Sequence, residues 1–372
     1  MKFSIKQSVL VEQLTIAIKG VSTKNLIPIL NCIKFSLTKD GLTLTSTDNE
    51  MVIITFINKD KIDSIEKTGE VVISGKYIYD MVKKLPNCII NIEEVADSKI
   101  FITTEKTEFS LNCNNVYDFP SLDMDYKEQP VVLKRKIFKD MINTTAFATS
   151  MQESRPTLTG INFILDKDKI EATATDSYRL SKKVINISGN HEYSNLIIPT
   201  RTVLELVKII NDEDKDIEIH IFTNKIVFKF DNIEFLTKLI NGSFPDTSKL
   251  IPETFEIEAQ VKYDDLYSAI DRASLLSSGD DKNTILFELK GDTVKISSNI
   301  PEIGMIEETF NTSNKSNKSI SISFSSKFMT DALRAINSEE VLLKLNGDVK
   351  PIIITSTKNS DLTELIVPIR TY

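Results

Sequence analysis

The chain has no tryptophan, two histidines and three cysteines among 372 residues. His191 lies in a Gly189-Asn190-His191-Glu192-Tyr193 loop and His220 in an alternating strand pattern. They share no metal-ligand spacing with each other or with cysteine, so no metal centre is expected. Cys32, Cys88 and Cys113 are odd in number and show no C-x-x-C spacing, so buried thiols are expected rather than a disulfide framework. The phosphate-cradling G-x-x-x-x-G-K-[ST] is missing, as are G-x-G-x-x-G and G-x-S-x-G. These absences leave neither a cofactor site nor a catalytic centre to expect. No apolar run approaches the roughly 20 residues of a membrane span. Met1-Lys2-Phe3-Ser4-Ile5 opens directly into a strand pattern, so a cytoplasmic protein without membrane contact is expected.

What is present is a threefold internal repeat. A short strand followed by a helical pattern occurs at Phe3-Ser4-Ile5 with Val9, Leu10, Leu14, Ala17 and Ile18. It returns at Val131-Val132-Leu133 with Ile137, Met141, Ile142 and Ala146, and again at Phe255-Glu256-Ile257 with Tyr263, Leu266, Ile270 and Ala273. A second helix, introduced by a strand and a small or hydroxyl residue, begins near Lys76, Arg201 and Lys327, at offsets of 125 and 126 residues. Phe119-Pro120 matches Phe244-Pro245 at an offset of 125. Between the helices, runs such as Gly41-Leu42-Thr43-Leu44-Thr45-Ser46 and Ile217-Glu218-Ile219-His220-Ile221 alternate apolar and polar residues. Period two indicates antiparallel sheet packed on one face. The fold class is therefore α+β: three tandem similar domains, 1–125, 129–250 and 253–372, each an antiparallel sheet with two helices.

The formal charge of −8 argues against a coat of nucleic acid held by bulk positive charge. Its placement is uneven. The six helical segments sum to +5 and the remainder of the chain to −13, although the fifth helix, from Lys262, is net −1. Helices that carry the cations suit a polyanion on the helical side.

In the middle repeat, Ala174-Thr175-Asp176-Ser177-Tyr178-Arg179-Leu180 separates two strand patterns. Thr-Asp at a strand end closes its own backbone as an Asx-type turn. An aromatic, a guanidinium and a leucine presented together on such a turn also make a surface for gripping a peptide.

Three α+β units, Thr175-Asp176-Ser177-Tyr178-Arg179-Leu180 in the middle one, and the ending Leu365-Ile366-Val367-Pro368-Ile369-Arg370 together resemble the bacterial DNA polymerase III β subunits, the sliding clamps. Leu26-Ile27-Pro28-Ile29-Leu30, Thr45-Ser46-Thr47-Asp48, Arg155-Pro156-Thr157-Leu158-Thr159-Gly160 and Phe244-Pro245-Asp246 also sit where that family has them, so the resemblance spans the chain. It implies a homodimer closed head to tail into a six-domain ring, a processivity factor that encircles double-stranded DNA without reading sequence. It also implies that the replicative polymerase α subunit, the clamp loader δ subunit and other clamp-motif proteins bind through short peptides.

By position, the resemblance assigns a groove to Leu158, Thr175, Tyr178, Arg179, Leu180, Pro245, Leu250, Phe328, Val349, Leu365, Ile366, Val367, Pro368 and Ile369. It assigns DNA contact to Lys24, Lys76, Arg155 and Arg201, with Lys136, Lys139 and Lys208 as further candidates on the helices. Phe109, Leu111, Leu275 and Leu276 match the dimer interface. Ser177 stands where many members have glycine, and Ile369-Arg370-Thr371-Tyr372 replaces the familiar Met-Arg-Leu ending. The alternative is a non-catalytic three-repeat scaffold that binds peptides without encircling DNA, which would need neither ring closure nor positive helices.

Overall fold

Leu10, Leu14 and Ala17 fall on one stripe at helical spacing and are buried, as are Ile78 and Val82 in the next helix. The computed structural model describes residues 1–22, 27–95, 98–121, 124, 126, 129–276, 283–314, 316 and 318–370. Within them the helices are α1 (Gln7–Ala17), α2 (Gly75–Lys84), α3 (Arg135–Thr145), α4 (Thr200–Ile209), α5 (Tyr263–Ser274) and α6 (Ser326–Ile336). The first helix of each repeat thus begins at residue 7, 135 or 263, and the second at 75, 200 or 326. Strands alternate as their composition predicts: in Cys32–Leu37, Ile33, Phe35 and Leu37 enter the core while Lys34 and Ser36 are half-exposed.

By compactness the chain divides into two units, Met1–Lys136 with Glu205–Leu239, and Ile137–Leu204 with Ile240–Tyr372. Unit 1 holds a thirteen-stranded antiparallel sheet. In it the strand Ile233–Lys238 of the middle repeat pairs with Met51–Asn58 of the first, Phe235 opposite Ile53. Below it lies a core built from Phe3, Ile5, Leu10, Leu14, Phe35 and Ile73. Unit 2 holds a seven-stranded and a four-stranded sheet. Its long hairpin joins Gly160–Thr175 to Arg179–Pro199, which in turn pairs with Leu362–Ile366 of the third repeat. Ladders therefore run through the joints between repeats, which covers the strand edges that meet there.

Among the strands left with an uncovered side, two lie in different units. The strand Glu108–Asn114 pairs with Lys99–Thr103 on one side, but on the other only Cys113 and Asn114 meet the strand Gly69–Ser74. The strand Gly304–Asn311 ends the four-stranded sheet and pairs only with Thr293–Ile300.

Arg135 departs from its place in the charge pattern. Counted among the helical cations, it is 2% exposed, donating to Asn211 Oδ1 at 2.7 Å, Asp231 Oδ2 at 2.8 Å and the Asp216 carbonyl at 3.2 Å. As the first residue of α3 it faces inward, and its charge serves unit 1 internally.

Candidate peptide groove and nucleic-acid face

The turn after Thr175 is built by its own short side chains. Asp176 Oδ1 accepts the N–H groups of Tyr178 at 2.9 Å and Arg179 at 3.0 Å. Thr175 Oγ1 accepts the Ser177 N–H at 3.1 Å and donates to the Arg179 carbonyl at 2.6 Å. The same construction recurs in the first repeat. Asp48 Oδ1 accepts from Glu50 and Met51, and Thr47 Oγ1 accepts from Asn49 and donates to the Met51 carbonyl. Ser177 and Asn49 both take φ of 78°, the left-handed region that costs a non-glycine residue about 1 kcal/mol. The backbone of the turn is thus a repeated structural device, and only its side chains are special to the middle repeat.

Tyr178 is 63% exposed at the tip of this turn, and its carbonyl accepts the Val367 N–H at 2.9 Å. That bond extends the ladder in which Arg179 faces Ile366 and Leu180 faces Leu365. Leu180 and Leu365 are buried together with Ile353, against Ile251 and Phe255. The Ile369 N–H donates to the Ser323 carbonyl, which ties the chain end to the strand preceding α6. Leu158 and Thr175 are buried, Phe328, Pro368 and Ile369 are half-buried, and Pro245, Leu250, Val349 and Val367 are exposed. Gly242 brings the segment before Pro245 close to the Leu158 turn: at φ of 129° a side chain there would meet Thr157 Cγ2 at 2.8 Å. The Val367 bond thus joins the Tyr178 and Val367 segments, and the Gly242 approach joins the segment before Pro245 to the Leu158 turn. Buried leucines beneath exposed aromatic and aliphatic groups form a surface suited to spaced apolar side chains of a peptide.

Arg179 is used differently from a ligand-facing guanidinium. Its side chain is 11% exposed. Nε donates to Asp176 Oδ2 at 3.0 Å, Nη1 to Asp331 Oδ2 at 2.8 Å and Nη2 to the Phe147 carbonyl at 2.7 Å. The guanidinium carbon lies 4.5 Å from the centre of the Phe328 ring and 5.3 Å from that of Phe147. It therefore pins α6 and the end of α3 to the turn, and Asp331 is a partner that the sequence reading did not single out.

Of the candidate DNA contacts, Lys76, Lys136, Arg155, Arg201 and Lys208 are exposed and Lys139 is half-buried, while Lys24 lies outside the described residues, as do Thr371 and Tyr372. Lys208 pairs with Glu205 at 2.6 Å. Arg155 Nη1 donates to Ser177 Oγ at 3.1 Å, which sets it beside the Asp176 turn. Lys76 and Arg201 are each the second residue of a helix, and Lys327 holds the same place in α6. A cation there opposes the helix dipole at a cost of about 0.5 kcal/mol. The three repeats thus carry a cation at the same helical position. Lys327, missed as a candidate contact, could have been found from the repeat period.

Phe109 and Leu111 are half-buried on the partly covered edge of unit 1. In unit 2, Leu275 is 74% exposed just after α5 and Leu276 is half-buried.

Comparison with known proteins accords with this geometry. Family models of the DNA polymerase III beta subunit match in sequence order: the N-terminal domain at residues 1–123, the central domain at 132–246 and the C-terminal domain at 248–370. The beta sliding clamp of Staphylococcus epidermidis is 36% identical over 376 residues, with all of both chains covered. A crystal structure of the DNA polymerase sliding clamp from Bacillus subtilis superposes with a TM-score of 0.97 at 33% identity over the whole of both chains. The DNA polymerase III beta chain of Streptococcus pneumoniae does so with a TM-score of 0.96 at 31% identity, again over the whole of both chains. The chain belongs to the DNA polymerase III beta subunit family, the bacterial sliding clamps.

Proposed function

We propose that this sliding clamp acts as a homodimer closed head to tail, a topological tether that holds DNA because the ring is shut. The observation that carries the reading is the pair of partly covered strand edges, Glu108–Asn114 in unit 1 and Gly304–Asn311 in unit 2. An open edge is a template for pairing with another chain, and two different edges on one chain allow a heterologous contact that closes by rotation. Phe109, Leu111, Leu275 and Leu276 would pack beside that contact.

The three domains are divided at 1–125, 129–250 and 253–372, following the sequence repeat. Lys76, Arg201 and, by equivalence, Lys327 contact phosphates, with Lys24, Lys136, Lys139, Arg155 and Lys208 contributing. Such contacts carry no sequence information and weaken with salt, which suits sliding. The groove from Leu158 through Tyr178 to Ile369 receives short apolar peptides of the polymerase α subunit, the clamp loader δ subunit and other clamp-motif proteins. The protein is non-catalytic and cytoplasmic, and an ATP-driven loader opens it.

Light scattering tests closure directly: a mass near twice 42.0 kDa is expected. After loading by a bacterial clamp loader with ATP, retention on nicked circular plasmid and loss from the linearised plasmid are expected. A monomer, or equal loss from both DNAs, would favour the peptide-binding scaffold instead.

A further inference from the structure

Beneath the groove lies a carboxyl group that the groove does not use. Glu364 sits in the strand Leu362–Ile366, opposite Ser181 on one side and Ile354 on the other. It is 2% exposed, and its Oε1 lies 2.7 Å from Ser181 Oγ. Ser181 Oγ is also 2.7 Å from the Thr144 carbonyl oxygen in the last turn of α3.

A hydroxyl carries one proton. The Thr144 carbonyl can only accept, so Ser181 donates to it. The contact with Glu364 is then favourable only if Glu364 brings a proton of its own. An ionised carboxylate would instead face an oxygen lone pair with no water to solvate it.

The surrounding charges fit a neutral acid. On the strand Arg179–Pro199, Arg179 and Lys183 stand two residues either side of Ser181. Arg179 is engaged by Asp176 and Asp331, and the Lys183 ammonium by Asp140 at 2.8 Å and Asp361 at 3.2 Å. Asp140 comes from α3 and Asp331 from α6, while the strand Ile352–Ser356 has no titratable residue. Burial drives the Glu364 carboxyl well above the usual range; the Arg179 charge pulls against this, and the Asp331 charge adds to it.

We propose that Glu364 is a neutral acid whose proton is donated to Ser181, and that the chain from Glu364 through Ser181 to Thr144 fixes the strand leading into Val367, Pro368 and Ile369 against the end of α3. Glu364 is thus a positioning residue for the groove, and this consequence rests on the peptide-binding reading above. The contribution of the neutral form is complete below the ordinary carboxyl range. It declines as pH rises towards the raised value of Glu364.

Two measurements on the full-length protein test the proposal. Infrared difference spectra of wild type against Glu364→Gln at about pH 7 should show a protonated carboxylic C=O band in wild type only. Its absence would overturn the assignment. The second is titration with a fluorescein-labelled pentapeptide carrying a leucine and a phenylalanine. Wild type should bind about fivefold more weakly above the pH at which its protonated carboxyl band is lost than below it, and Glu364→Gln should be flat across that pH. Glu364→Ala and Ser181→Ala should bind about fivefold more weakly than wild type at the lower pH. Alanine variants that keep wild-type affinity and pH profile would refute the positioning role. Failure of wild type itself to bind the peptide would refute the groove and with it the positioning role, while the infrared band would still decide the protonation of Glu364.

Discussion

Arg179 donates Nη1 to Asp331 Oδ2 at 2.8 Å, joining the Asp176 turn of the middle repeat to α6 of the third. The pair is largely shielded, with side-chain exposures of 11% and 22%, and the guanidinium also rests on the Phe328 ring. Truncating Asp331 leaves the shielded Arg179 guanidinium with Asp176 as its one remaining carboxylate partner, which costs more than breaking an exposed ion pair would. Asp331→Ala is expected to lower unfolding stability by about 2 kcal/mol and to weaken peptide binding about tenfold. Paired denaturant melts and peptide titrations would check this; unchanged binding would remove Arg179 from the groove's support.

Tyr178 has the opposite character, an exposed aromatic on a rigid turn, and such residues dominate interface energetics. Tyr178→Ala should weaken peptide capture by about tenfold while leaving the light-scattering mass unchanged. Joint loss of binding and dimerisation would contradict the separation of groove from interface.

On the proposed DNA contact, Lys76 would set helix stability against DNA binding. Lys76→Glu replaces a cation disfavoured by the α2 dipole with a favoured anion, so stability should rise by about 0.5 kcal/mol. Binding to duplex DNA should weaken, and the salt slope of affinity should fall by about one phosphate contact. Thermal melts and salt titrations of DNA affinity would read both signs.

Arg135 gives a pH-dependent prediction. The hydrogen bond from Arg135 holds the Asp231 carboxyl below its ordinary range, against a smaller opposing effect of burial. A depressed carboxyl contributes stability that is present above its unfolded value, about 4, and is lost as pH falls through the folded one. Arg135→Met should therefore cost about 3 kcal/mol near neutrality. The gap from wild type should narrow on acidification below about pH 4. Urea melts at several pH values would show a constant gap if the pair were irrelevant.

Periodicity and start signals located the six helices among the described residues, because each needs only an apolar stripe and a start signal within its own dozen residues. The threefold repeat was legible for the same reason, as were the Asx turn at Asp176 and the exposed Tyr178 beside it. Tertiary structure decided what local pattern does not encode. Arg135 turned inward because Asp231, far along the chain, supplies its counter-charge. The strand Ile233–Lys238 joined the first repeat and Leu362–Ile366 the middle one, since backbone pairing depends on which edges meet and period two is the same for every edge. Glu364 reads in sequence as one more strand carboxylate, and only the fold places it beside Ser181 and away from water.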